Sequence, residues 1–225
     1  MTEESFNTNS YPETESGITC YLAGTLIETD TGLVPIEAIR PGDQVLTLDG
    51  GHQKVLWAGG QHYPASAVNR NSTLRPITIE PDACGPGCPK RRLIVSPQHR
   101  LLCCGAAVEL HFGTDEVLAS AKALVNGSGI CDDWKGLSIS YHHILFACHQ
   151  VIRAEGLWAE SLFTGDLALS AMTAEARRQI DQALGKNLLT QKAARMCLTP
   201  TEAVVLAPTY TVHQIKRPNR IAVAA

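Results

Sequence analysis

Apolar and polar positions alternate in short runs along the middle of the chain. The clearest runs cover residues 44–48, 76–79, 92–95 and 137–141. A period of two is typical of strands that bury one face. Turn-forming sequences such as PGD at residues 41–43 and GPG at residues 85–87 separate the runs. Because residues 117–124 are the one stretch among them that resembles a helix, the pattern disfavours a parallel α/β fold and predicts a mainly β domain.

The clearest helical pattern comes late in the chain. Ser170 or Thr173 is a candidate N-cap, Ile180 and Leu184 then share one helical face, and a glycine follows the last apolar position. We therefore expect a C-terminal helix within residues 166–186 that packs across the β domain.

The remaining segments divide the chain around one domain, which suits its 225 residues. Residues 1–19 contain four glutamates and no Lys or Arg, and we expect a flexible acidic leader there. Residues 20–165 form the predicted domain. Residues 187–225 carry five basic residues against one glutamate, which predicts a loosely ordered basic tail with a strand near residues 202–206.

Composition excludes several classes of function. A net charge of -3 argues against binding to nucleic acid, which requires a basic surface. No apolar run is long enough to span a membrane. The leader lacks the basic start and apolar core of a signal peptide. The irregular spacing of the eight cysteines favours reduced thiols and a cytoplasmic location, with export requiring a route other than the general secretory one.

Cys20 is the most informative candidate for chemistry. Its thiol can attack the carbonyl of Thr19 through a five-membered ring and convert the Thr19-Cys20 amide into a thioester, with the large rate advantage of an intramolecular reaction. The amide nitrogen leaves only if it is protonated, which requires a general acid. His99 is the candidate acid, and Ser96, three residues earlier in the same turn, is a candidate to hold and polarise the scissile backbone.

Taken alone, each of these residues has an ordinary explanation. A single cysteine is commonly a small buried hydrophobic residue, and Ser-Pro-Gln-His is also a common surface turn. Several longer stretches occur together with them, however. They are CYLAGTLIET at 20–29, PIEAIRPGDQVLT at 35–47, LIVSPQHR at 93–100, AKALV at 121–125, YHHILFACH at 141–149 and AEGLWAES at 154–161. In these stretches the chain resembles the bacterial branch of the Hint family, the self-processing domains of hedgehog proteins and inteins.

The resemblance implies a mainly β, horseshoe-like fold with pseudo-twofold symmetry. It also implies Cys20 as nucleophile, with Ser96 and His99 as the activating pair. No cofactor is required, and the substrate is the chain's own N-terminal flank. The thioester would be cleaved by water or by another nucleophile, so that one protein molecule acts once.

The last motif departs from the intein pattern. Counted from Gly156, the position of the intein Asp falls near His143, and where inteins end in His-Asn this chain has Glu160 and Ser161. A serine cannot cyclise to the succinimide that releases the downstream flank, so intein-type splicing is not expected. His143 is a candidate proton carrier in place of the Asp, and His149 is a second candidate nearby.

Two alternatives from other classes remain at this point. The fold could serve as a catalytically silent interaction module that keeps its leader. Cys84 and Cys88 flank a Gly-Pro-Gly turn and could instead organise a small metal site, although their spacing matches no common zinc motif.

Overall fold

The structure is a computed structural model that describes residues 19–164, 172–185 and 191–209. Strands dominate it. They are β1 (Tyr21–Leu22), β2 (Leu26–Thr29), β3 (Gly32–Pro35), β4 (Gln44–Thr47), β5 (Gly51–Lys54), β6 (Trp57–Tyr63), β7 (Ile77–Ile79), β8 (Leu93–Val95), β9 (Arg100–Cys104), β10 (Glu116–Ser120), β11 (Ile130–Cys131), β12 (Ile139–Leu145), β13 (Val151–Ala154), β14 (Leu157–Glu160) and β15 (Met196–Cys197). The helices are α1 (Ala65–Arg70), α2 (Ala106–Phe112), α3 (Ala174–Leu184) and α4 (Pro200–Ala203).

The strands form two sheets. The first has the order β11-β7-β8-β1-β12-β6, and the second has the order β15-β10-β9-β14-β13-β2-β4-β5, with β3 paired to β2. The pairings are antiparallel except for the parallel pair of β10 and β15. The prediction of a mainly β fold is therefore confirmed.

The four predicted strands appear as β4, β7, β8 and β12, with ends that either coincide with the predicted ones or shift by at most four residues. In β4 the buried and half-buried positions alternate as the sequence indicates. Residues 117–124, whose pattern is ambiguous in the sequence, are divided between β10 and a 3₁₀ helix at Ala121–Leu124.

Helix α3 forms as predicted and packs against β6 of the first sheet. The Thr173 side chain accepts a hydrogen bond from the Ala176 N–H, and Gly185 ends the helix. Ile180 and Leu184 are buried in a hydrophobic cluster that also contains Cys20. The alternative cap, Ser170, lies outside the described residues.

The predicted strand near residues 202–206 is wrong. Helix α4 and a 3₁₀ helix at Val204–Thr209 occupy this stretch instead. Thr199 and Glu202 form a reciprocal capping box, and Pro200 stands in the first turn, where its missing N–H costs nothing. No helix within the described ranges is both long and apolar enough to cross a membrane. The leader up to residue 18 and the last sixteen residues lie outside those ranges.

Candidate active site

The order of strands in the first sheet brings distant parts of the chain to Cys20. Cys20 directly precedes β1, and β1 lies between β8 and β12. Tyr21 pairs with Val95 at the end of β8 and with His142 in β12. The turn that follows β8 therefore reaches Cys20 from one side, and the side chains of β12 reach it from the other.

His143 contacts both the Cys20 thiol and the Thr19 carbonyl group. Its Nε2 lies 3.6 Å from the Cys20 Sγ, and its Nδ1 lies 2.5 Å from the carbonyl oxygen of Thr19. A carbonyl oxygen only accepts hydrogen bonds, so Nδ1 carries the proton and Nε2 faces the thiol as an acceptor. One imidazole thus contacts both the candidate nucleophile and the carbonyl that it would attack.

Ser96 and His99 hold the backbone of Cys20 from the opposite side. The Cys20 N–H donates to the Ser96 Oγ at 2.9 Å. The Cys20 carbonyl oxygen accepts from the Ser96 N–H at 3.0 Å and from His99 Nδ1 at 3.1 Å. At the backbone nitrogen of Cys20 the contact is therefore with the Ser96 hydroxyl, while the ring of His99, the candidate acid, contacts the carbonyl of the same residue. His99 also packs edge-on against Tyr21, with ring centroids 4.2 Å apart.

Burial keeps these groups neutral at physiological pH. Burial raises the pKa of the Cys20 thiol far above its ordinary value, although its hydrogen bond with Ser96 acts in the opposite direction. Burial lowers the pKa of His143 to about 4, against the opposing effect of its bond to Thr19. It also lowers the pKa of His99 to about 4, against the attraction of Glu160. The resting pair is thus a thiol beside a neutral imidazole, which can accept the thiol proton.

Glu160, which has the position of the intein histidine, is a buried charge that sequence reasoning missed as a functional residue. It is fully buried and accepts hydrogen bonds from the Thr19 hydroxyl at 3.1 Å and from the Arg100 N–H at 2.8 Å. Burial by itself raises the pKa of Glu160, but His149 and Arg100 outweigh it, so that the pKa lies below its usual value. The sequence did offer one signal for Glu160, because this chain has Glu where inteins have His.

His149 lies on the far side of Glu160 rather than in contact with the thiol. Its Nε2 is 3.4 Å from the Glu160 Oε2, and its Nδ1 accepts a hydrogen bond from the Ala194 N–H at 3.1 Å. Ser161 is also buried, and its hydroxyl accepts from the Gln150 N–H at 3.0 Å. The structure therefore links His149 to the Thr19 side chain through Glu160.

The Hint domain family model matches residues 19–166, which is more than half of the chain. The chain belongs to the Hint family. It is therefore a domain of the self-processing hedgehog and intein type, and the membership predicted from the sequence is confirmed. No curated protein matches the chain significantly.

Solved structures similar to this Hint domain include inteins and an intein-like protein. A bacterial intein-like domain from Clostridium thermocellum is 15% identical with a TM-score of 0.39, over 63% of this chain and 97% of that one. The gp41-1 intein is 15% identical with a TM-score of 0.36, over 63% and 97% of the two chains. The MchDnaB-1 intein is 11% identical with a TM-score of 0.39, over 63% and 98%.

Strand β6 and helix α3 lie beside the His143 ring, on the side away from β1. In the register of β6 and β12, Gly59 lies opposite His143. The Trp57 ring stacks beside the His143 ring at 6.5 Å and donates its Nε1–H to the Gln179 Oε1 of α3 at 2.9 Å. A cavity of about 230 Å³ lies between β6 and α3, with His143, Trp57 and Met172 among its lining residues.

Cys84 and Cys88 form a compact turn in this Hint domain. Both are fully buried, and the Cys84 N–H donates to the Cys88 carbonyl at 2.8 Å. No group of three or more His, Cys, Asp or Glu residues suited to a metal ion occurs within the described ranges. The described part of the chain therefore gives the metal alternative no ligand set beyond these two thiols.

Proposed function

We propose that this Hint domain cleaves its own backbone at the Thr19-Cys20 bond through an N-to-S acyl shift. The Cys20 sulfur attacks the Thr19 carbonyl carbon, the C–N bond breaks, and a thioester joins Thr19 to the Cys20 side chain. Water or another nucleophile then attacks the thioester and releases the N-terminal flank. No intein-type splicing follows.

The observation that carries the proposal is the double contact of His143. Its unprotonated Nε2 faces the thiol at 3.6 Å, and its protonated Nδ1 donates to the Thr19 oxygen at 2.5 Å. Proton transfer from sulfur to Nε2 turns the ring into a cation. That cation then stabilises the negative charge that develops on the Thr19 oxygen.

The nitrogen of Cys20 must gain a proton as it leaves. We assign this donation to His99, and we assign to Ser96 the task of holding the nitrogen in place. The Ser96 hydroxyl accepts the Cys20 N–H at 2.9 Å, and His99 holds the next carbonyl at 3.1 Å. In balance one proton moves from the sulfur to the nitrogen: His143 takes it from the thiol, His99 receives it from His143 and becomes an imidazolium, and this cation gives it to the Cys20 nitrogen, so that both rings end neutral.

The acceptor of the acyl group reaches the site most readily from the cavity beside His143. Its volume of about 230 Å³ has room for water or a small thiol. Release of a downstream flank has no comparable support, because Ser161 stands where inteins have Asn. Its hydroxyl accepts a hydrogen bond from the Gln150 N–H.

One observation favours a second function, that of a silent interaction module. Burial holds the Cys20 thiol neutral, with its pKa far above the ordinary value, and a thiol is a much weaker nucleophile than a thiolate. The module would keep its leader and bind a partner without cleavage. Intact-mass measurement separates the two functions directly.

The deciding experiment follows the mass of freshly purified full-length protein with and without dithiothreitol. We expect a species that begins at Cys20 to accumulate, faster with dithiothreitol because the reagent attacks the thioester. Cys20→Ala should abolish the cleavage while the fold persists, and Cys148→Ala, which removes an exposed thiol, should leave it unchanged. A wild-type chain that stays intact in both conditions would refute the proposal and support the silent module.

A further inference from the structure

The residue on the acyl side of the scissile bond is held at two points. The Thr19 hydroxyl donates to the Glu160 Oε1 at 3.1 Å, and the Thr19 carbonyl oxygen accepts from His143 Nδ1 at 2.5 Å. Thr19 itself is buried, with 6% of its surface exposed. The side-chain contact therefore helps to fix the direction in which the carbonyl faces the Cys20 thiol.

Glu160 presents a charged acceptor to the Thr19 hydroxyl. Oε1 also accepts the Arg100 N–H at 2.8 Å, and Oε2 lies 3.2 Å from the Arg100 guanidinium and 3.4 Å from His149 Nε2. These partners keep the buried carboxylate ionised, and an ionised carboxylate only accepts hydrogen bonds. The group at position 19 must therefore be a donor for Oε1 to keep both of its contacts.

His149 fixes the far side of this carboxylate. Because the Ala194 N–H donates to its Nδ1, the ring proton is on Nε2, which points toward Glu160. The ring also stacks on Phe163 with centroids 4.7 Å apart. Glu160 is thus held in place by groups that do not touch the scissile bond.

We infer that Glu160 determines the specificity for the residue before the scissile bond, by selecting a small hydroxyl side chain, Thr or Ser, at position 19. This inference rests on the proposed cleavage. Glu160 is a positioning residue, since it acts through the Thr19 side chain and touches neither the sulfur nor the carbonyl. Valine has nearly the shape of threonine but leaves a buried lone pair of the carboxylate without its donor.

The test compares the cleavage rates of wild type, Thr19→Ser and Thr19→Val in the full chain, by intact mass with dithiothreitol. Ser should cleave within about threefold of wild type, whereas Val should be about 10 to 100 times slower, the effect of losing a hydrogen bond to a charged group. Thr47→Val is the matched control, because it removes another buried hydroxyl, one that donates to the Gly51 carbonyl. Its rate should equal that of wild type.

Glu160→Gln completes a double-mutant cycle. If the hydroxyl acts through Glu160, adding Thr19→Val to Glu160→Gln should slow cleavage much less than it does in wild type. If Glu160→Gln fails to fold, the Ser and Val pair in wild type decides the matter alone. Equal rates for Thr19→Val and wild type would overturn this inference alone, while a wild type that never cleaves would overturn the proposed function and the inference with it.

Discussion

At the residue scale, the proposed cleavage depends on the protonation state of two imidazole rings. His143 donates from Nδ1 to the Thr19 carbonyl, and His99 donates from Nδ1 to the Cys20 carbonyl. Burial lowers both pKa values to about 4, so at pH 7 each ring is neutral. A neutral ring on the sulfur side is a base, and this is the state that thiol activation needs.

The two rings should therefore be individually essential. His143→Gln removes the base at the sulfur, and His99→Ala removes the proposed acid, so each should slow thioester formation by about 10²–10⁴. The release of the flank, followed by mass, measures both. His142→Gln is the control, since this neighbour is only half-buried and points to the opposite face of β12. A rate for His143→Gln close to that of His142→Gln would remove His143 from the mechanism.

At the element scale, strand β6 and helix α3 form the outer wall of the site. Trp57 on β6 reaches Gln179 on α3 through a hydrogen bond of 2.9 Å and stacks beside His143. The indole has room because residue 59 is glycine. A Cβ atom there would come within 2.3 Å of the indole Cζ2. The small residue opposite His143 is thus a packing requirement for the ring that supports it.

Gly59→Ala should displace the indole and disturb both stability and cleavage. We expect a loss of about 1–3 kcal/mol in the free energy of unfolding, the usual effect of overpacking, together with slower cleavage. Urea denaturation and intact mass measure the two effects. Adding Trp57→Phe, whose smaller ring lacks the clashing atoms, should recover part of the lost stability. If Gly59→Ala melts like wild type, the Trp57 ring is not held as described.

At the scale of the whole molecule, the buried histidines connect the site to overall stability. The pKa values of His99 and His143 fall from 6.5 to about 4 on folding. The unfolded chain therefore binds more protons than the folded one between these values. Their contribution to stability is complete above pH 6.5 and is lost as the pH falls toward 4. Glu160, with its lowered pKa, acts in the same direction at still lower pH.

We therefore expect the free energy of unfolding to fall by a few kcal/mol between pH 7 and pH 4.5, given about 1.4 kcal/mol for each pKa unit. Urea denaturation at several pH values in the Cys20→Ala background measures this without interference from cleavage. His52→Gln, at an exposed position, should leave the slope unchanged. A flat profile over this range would mean that the two rings are not desolvated in the folded protein.

The elements that the sequence predicts well are those with local causes. The alternation in β4 and the cap at Thr173 each depend on residues within four positions of one another. The sequence does not predict helices α1, α2 and α4, because they span only 6, 7 and 4 residues. An apolar period of 3.6 residues cannot be recognised over so short a length.

The sequence by itself determined the mainly β class and the capped helix α3, because short-range spacing encodes both, and its resemblance to the Hint family pointed to Cys20, Ser96 and His99. Only the tertiary structure decided that His143, a candidate from the sequence, contacts both the Cys20 thiol and the Thr19 carbonyl, and that His149 contacts Glu160 instead. The physical reason is strand pairing. The strands β12 and β14 bring residues to the scissile bond that lie 123 and 141 positions away in the sequence. The register of these strands decides which of their side chains face the bond.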